Sequence, residues 1–150
     1  MAPSRLHAVA CVVALLSCSG ARPANLGLLD SRLGACPASP NCVSSDASDP
    51  EHRIAPFELA VPAPEAWRAA GLAVAALPRT VVVAQTPELL HAECSSALFG
   101  FVDDLELHLR AREGLIAVRS ASRLGYDDLG VNRRRVERLR AVLVEQGVVR

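Results

Sequence analysis

Lysine is missing from this chain: all sixteen cationic side chains are arginines, and sixteen Asp and Glu balance them to a formal net charge of zero. A neutral total gives no overall field to steer the protein toward nucleic acid or an acidic surface. Aromatic residues are scarce, namely three Phe, one Trp and one Tyr. That excludes an extended stacking platform for bases and predicts an aliphatic core. A long apolar run is missing as well. The most hydrophobic stretch, Ala8 to Leu16, falls short of the roughly 20 residues a helix needs to cross a bilayer. With 150 residues there is room for one domain.

Residues 1–20, MAPSRLHAVACVVALLSCSG, have the form of a secretory signal, with Arg5 ahead of the apolar run. Leu15-Leu16-Ser17-Cys18 resembles the lipobox of bacterial lipoproteins, which makes Cys18 the candidate lipidation site. Cleavage after Ala21, behind the small residues Ser19 and Gly20, is the alternative. In a Gram-negative cell the implied address is the outer membrane, facing the periplasm, with acyl chains as the membrane partner. Residues 21–35 carry no alternation and read as a tether. Residues 36–150 form the expected domain.

Cys36 and Cys42 bracket a small loop, CPASPNC. In an oxidising compartment a disulfide between them is the default expectation. A metal site using Cys36, Cys42 and His52 is the weaker reading, because no second ligand pair stands at zinc-like spacing. Cys94 lies among apolar neighbours and reads as a buried, inert thiol. No cofactor and no metal is expected.

The rest of the chain alternates. Ile54 to Val61 reads as a first strand, and Pro64-Glu65 opens a helix that runs through Trp67 and Leu72 to Leu77 before Pro78. Thr80 to Gln85 is β-branched and short, as in a strand. Leu89 to Phe99, Phe101 to Arg110 and Leu115 to Ser122 alternate like a meander with one dry and one wet face, turned at Glu113-Gly114. His91 and His108 fall on the wet face, where plain solvation is their expected fate. A helix from about Asn132 to Gln146 places Val136, Leu139 and Leu143 at helical spacing, and Gly147 stops it. The order β-α-β-β-β-β-α predicts an α+β fold: an antiparallel sheet of about four to five strands with two helices packed on one face.

Charge is densest in RSASRLGYDDLGVNRRR, Arg119 to Arg135. Arg133, Arg134 and Arg135 would occupy the first turn of the last helix, where the macrodipole disfavours each cation by about 0.3–1 kcal/mol. Asp103, Asp104, Asp127 and Asp128 are the acids able to offset them. The corner is therefore either an ion-pair lattice that fixes a turn or an anion site built from arginine forks and helix N–H groups. Arg119, Arg123, Asp128, Asn132, Arg133, Arg135, Asp103 and Asp104 are the candidate ligand-binding residues. The expected ligand is an anionic small molecule or lipid head group, and the other expected partner is an envelope protein; nucleic acid is not expected. The competing reading is a hydrolase or transferase with an Asp as base. Ser120 and Ser122 lack a nucleophile-elbow motif.

Three ordered motifs, CPASPNCVSS, AECSSALFGFVDDLELHL and IAVRSASRLGYDDLGVNRRRVERLR, resemble the bacterial and plastid family known as domain of unknown function 1499. The resemblance runs from about Cys36 to Leu143. It implies a small α+β domain, often exported or membrane-associated, with no established activity to carry over. Glu93, Ser96, Phe101, Asp103, Asp104, Arg119, Arg123, Gly125, Asp128, Gly130, Asn132 and Arg133 stand at motif positions. Leu90 stands where the family often has an aromatic residue, and Cys94 looks peculiar to this chain.

Overall fold

Strict alternation from Leu89 to Ser122 produces three long antiparallel strands, and the rest of the fold is arranged on their two faces. The computed structural model describes residues 20–150; the apolar run Ala8–Leu16 and Cys18 lie outside the described residues. In chain order the elements are β1 (Leu28–Leu29), β2 (Arg32–Leu33), β3 (Cys42–Ser44), β4 (Phe57–Glu58) and α1 (Ala63–Ala75). They continue as β5 (Thr80–Gln85), β6 (Leu89–Ser95), β7 (Val102–Arg110), a 3-10 turn (Ala111–Glu113), β8 (Leu115–Ser122) and α2 (Val131–Glu145).

The architecture is α+β: a six-stranded sheet runs β3-β8-β7-β6-β5 with its sixth strand, β4, also paired to β8, and β1-β2 form a separate two-stranded hairpin. Every ladder is antiparallel. The sheet is wider than the alternation alone indicated, for a local reason. The outer edge of β8 is shared by two very short strands, β3 opposite Arg119 to Ala121 and β4 opposite Leu115 and Ile116. Neither is long enough to display a period. The first strand expected over Ile54 to Val61 accordingly shrinks to Phe57–Glu58.

One face of the sheet is apolar. Leu90, Leu105, Leu107, Ile116 and Val118 pack there against Ala66, Ala70 and Val74 of α1 and Val136, Leu139 and Leu143 of α2. Small residues on α1 let it lie close: a Cβ on Gly71 would come within 2.8 Å of the Gln85 side chain. Trp67 Nε1 donates to the carbonyl of Thr86 at 3.0 Å and fixes the helix to the β5–β6 turn.

The opposite face is polar in sequence but not wet. Residues 20–35 lie across it, and the hairpin β1-β2 turns through Asp30 and Ser31, both with positive φ, as a two-residue hairpin of this hand requires. Leu33 is buried, and a Cβ on Gly34 would sit 2.2 Å from the carbonyl oxygen of Asn25, so only glycine closes this segment on itself. The residues read as a tether are a strap. Among the described residues no helix is long and apolar enough to cross a membrane.

Candidate functional site

Asp103 and Asp104 are neighbours on β7, so the pleat sends their carboxylates to opposite faces. The eight residues singled out by charge therefore divide into two groups separated by the sheet. Arg119, Arg123 and Asp104 lie under the strap; Asp103, Asp128, Asn132, Arg133 and Arg135 lie at the start of α2.

Under the strap the cross-strand register aligns Glu93 with Asp104, and His91 with Glu106 and Arg119. Arg123 donates from Nε and Nη2 to Asp104 at 2.8 and 2.7 Å, and from Nη2 to Glu93 at 2.6 Å. His91 Nε2 is 2.7 Å from the same Asp104 carboxylate. Burial works to raise the Asp104 pKa, but the hydrogen bonds from Arg123 and His91 outweigh it and hold the pKa down to about 2. The Glu93 carboxyl is lowered in turn by Arg123 and then by Arg22. A second buried pair, Arg119 Nη1 to Glu106 Oε2 at 2.9 Å, lies alongside. The strap closes over both: Gly27 N–H donates to Glu106 Oε1 at 2.6 Å, and Arg22 reaches Glu93 at 2.6 Å. Arg119 Nε is buried without a partner among the described residues.

His108 is buried and His91 half-buried here, because the strap covers the face on which alternation placed them. Burial first, and then the neighbouring Arg110 charge, lowers the His108 pKa and favours its neutral form. Ligand atoms of His91, Glu93 and Asp104 lie within 4.8 Å of one another, a spacing that would suit a metal ion. The Arg123 guanidinium, bonded to both carboxylates, already supplies the cation that such a site would hold. Burial and arginine pairing make this face a closed lattice, with its carboxylates occupied.

At the helix start the arginine puzzle is resolved mostly by hydrogen bonds. Asp128 accepts from Gly130 N–H at 2.8 Å and Asn132 N–H at 2.7 Å, while Asp127 accepts from Leu129 N–H at 2.7 Å. Asp128 thus caps the positive end of α2, and Asp127 holds the turn before it. The chain reaches the helix through Leu129 and Gly130, both with positive φ, a conformation these caps hold in place. Asn132, the second residue of α2, is a fully buried hub. Its Oδ1 accepts from Ser120 Oγ at 2.6 Å and from Arg135 Nη1 at 2.6 Å, and its Nδ2 reaches the Asn41 carbonyl at 3.2 Å and Ser122 Oγ at 2.9 Å.

Arg135 completes this hub through a 2.6 Å ion pair with Asp103. Arg133 turns to the other side and donates to the carbonyls of Glu51 and Arg53 at 2.9 and 3.0 Å. The expected disulfide joins Cys36 and Cys42. His52 bridges its loop to the chain beyond, between Asp49 Oδ1 at 2.8 Å and the Ser39 carbonyl at 3.0 Å. With both sulfurs bonded to each other and both ring nitrogens engaged, Cys36, Cys42 and His52 do not form a metal site.

A cleft of about 180 Å³ lies between the α1–β5 turn and the first two turns of α2. Arg79, Arg134, Arg135 and Arg138 line it together with Thr80 and Ser95, and no carboxylate belongs to its lining. Arg134 and Arg138 are exposed and have no ion-pair partner among the described residues; Arg134 touches only the Leu129 carbonyl, at 2.8 Å. Arg79 has positive φ, and its carbonyl accepts from Ser95 N–H at 2.9 Å while its Nε donates to the Ser95 carbonyl at 3.2 Å. The Cys94 thiol borders the cleft, and burial raises its pKa, so it is a poor nucleophile. The arginine run pointed to Arg134 and Arg135, but Arg79 gave no signal. It stands 55 residues before Arg134, and only the β5–β6 pairing of Thr80 with Cys94 brings its turn to α2.

A family model described as protein of unknown function (DUF1499) matches residues 32–143. No curated protein and no solved structure matches the chain.

Proposed function

We propose that this chain, which belongs to the DUF1499 family, is a non-enzymatic binding module that takes an anionic group in the cleft of Arg79, Arg134 and Arg138. The observation that carries this reading is the imbalance of charge there: four arginines and no acid line one concavity. Arg135 is paired with Asp103, while Arg79, Arg134 and Arg138 have no ion-pair partner among the described residues. Guanidinium forks beside hydroxyl donors suit phosphate or carboxylate oxygens. The ligand class is a small phosphorylated or carboxylated molecule or a lipid head group.

We further propose that the chain is exported and held in the envelope by lipidated Cys18, facing the periplasm in a Gram-negative cell. The Cys36–Cys42 disulfide supports an oxidising compartment. The alternative of a hydrolase or transferase with an Asp base has less support. Asp104 is held ionised beneath the strap, and Asp103 is engaged by Arg135.

Titration of the full chain with inorganic phosphate and pyrophosphate tests the cleft. Replacing Arg134 and Arg138 together by Ala is expected to weaken binding roughly tenfold or more, the loss of two charge-assisted contacts. Equal binding by the double variant overturns the reading. Cys18→Ser is expected to move the protein from the membrane fraction to the soluble fraction; unchanged membrane recovery overturns the anchor.

A further inference from the structure

The domain is apolar at one end. Six of the thirteen exposed large hydrophobic residues among the described residues fall in two loops, Leu98, Phe99 and Phe101 in the β6–β7 turn and Leu124, Tyr126 and Leu129 in the β8–α2 connection, and exposed Val131 adjoins them as the first residue of α2. Leu98, Leu129 and Tyr126 are 82%, 80% and 74% exposed. The two loops sit side by side, since Asp103 pairs with Ser122 and Arg123 N–H donates to the Val102 carbonyl at 3.1 Å. At the other end of the same strands, the turns consist of Thr86-Pro87-Glu88 and Ala111-Arg112-Glu113-Gly114, without a large hydrophobic side chain.

The described chain also begins at this apolar end. A Cβ on Gly20 would lie 3.0 Å from Leu124 Cγ and 3.1 Å from Arg123 Cβ. Residues 1–19, with the apolar run Ala8–Leu16 and Cys18, therefore join the domain beside these loops. The arginine cleft opens here as well, because Arg79 is bonded to Ser95 at the end of β6 and Arg134 stands in the first turn of α2. Asp127 and Asp128 are the opposing charges in the loops; Leu129 N–H occupies one oxygen of exposed Asp127, and Gly130 and Asn132 N–H occupy both oxygens of Asp128.

From this arrangement we infer that the loop end is a membrane-docking surface, and that its occupant is the interface of a lipid bilayer containing anionic lipid. Aromatic and aliphatic side chains at loop tips enter the headgroup–acyl boundary, where amphipathic rings are favoured. Arginines just behind them meet lipid phosphates. The inference rests on the proposed anchoring at residue 18, because an anchor at that point delivers this end, and not the other, to the bilayer.

The test uses the full chain bound to vesicles of phosphatidylcholine and phosphatidylglycerol whose acyl chains are brominated, and it reads tryptophan quenching. Trp67 is bonded to the β5–β6 turn at the far end and serves as an internal reference. The native chain is expected to keep its emission. Phe99→Trp is expected to lose roughly half of its total emission, the share of an indole placed within the headgroup–acyl boundary, and Tyr126→Trp gives an independent second reading. Adding Leu129→Glu to Phe99→Trp should reduce that quenching at least severalfold.

A chain that floats with the vesicles yet shows no quenching at either position overturns the docking surface and leaves the anchor standing. A chain that does not float overturns both. Quenching of Trp67 equal to that at position 99 also overturns the proposal. Phosphate binding by the cleft is measured separately, without lipid, so its failure is distinguishable from either.

Discussion

The guanidinium of Arg123 lies between Glu93 and Asp104, 2.6 and 2.7 Å from their oxygens, where a cation would otherwise be needed to hold two acids on adjacent strands. This triad sets the acid limit of the fold. Asp104 has its pKa depressed to about 2 against an ordinary value of 3.8. A depressed carboxylate contributes stability that is fully present above its unfolded pKa and is lost as pH falls through the folded value. The domain is expected to hold its stability down to about pH 4 and lose it toward about pH 2. Arg123→Met should move the acid transition upward; an unchanged midpoint in acid-induced unfolding followed by circular dichroism would sink the assignment.

Removing one partner of a buried pair costs more than removing the pair, because the survivor stays charged without compensation. Asp104→Ala leaves His91 facing an empty position and Arg123 with Glu93 as its remaining partner. It is expected to cost about 3 kcal/mol in urea unfolding, the low end for a broken buried pair. Arg135→Ala strips Asp103 and the Asn132 hub of a donor and should cost about 2–3 kcal/mol. Arg138→Ala touches no acid and should stay within about 0.5 kcal/mol. If Arg138→Ala destabilises as much as Arg135→Ala, the cleft arginines are scaffolding.

The difference between those two arginines marks how far the sequence could be read. Alternation over residues 89–122 and the helical spacing of Val136, Leu139 and Leu143 reveal the central strands and α2, because each is long enough to display its period. The short strands β3 and β4 carry no period and are made by the edge of β8. The charged run announces a corner, but not that consecutive Asp103 and Asp104 serve different lattices. Nor does it reveal that residues 21–35, irregular in sequence, would cover the face of His91 and His108. Non-local contacts decide those features, and they decide Arg79 as well.

His52 gives a pH dependence of the opposite sign. The Ser39 carbonyl, above all, raises its pKa over the ordinary 6.5; burial opposes this, and the Asp49 carboxylate adds to the rise. Acceptors on both ring nitrogens require both to carry protons, which favours the imidazolium. A raised pKa contributes stability that is fully present below about pH 6.5 and is lost as pH climbs through the folded value. Thermal unfolding between pH 6 and 9 is expected to show this decline in the native chain and not in His52→Gln. Parallel profiles for the two chains would remove His52 as the cause.

The strap over the second face yields the prediction with the widest reach. A spacer between a leader and a domain can be shortened without consequence for the fold. Residues 21–35 are placed otherwise: Leu33 is buried, its N–H donates to Asp46 at 3.0 Å, and Gly27 N–H donates to Glu106 at 2.6 Å. Burying a leucine contributes about 1.5–3 kcal/mol, and a hydrogen bond to a charged acceptor about 1.5–3 more. Deleting residues 23–33 is therefore expected to lower stability by at least about 3 kcal/mol, measured by urea unfolding. It should also speed amide exchange along β7 and β8, where Glu106 and Arg119 would meet water. Unchanged stability and exchange would make the segment a spacer after all and leave the buried Glu106–Arg119 pair to be explained by the sheet alone.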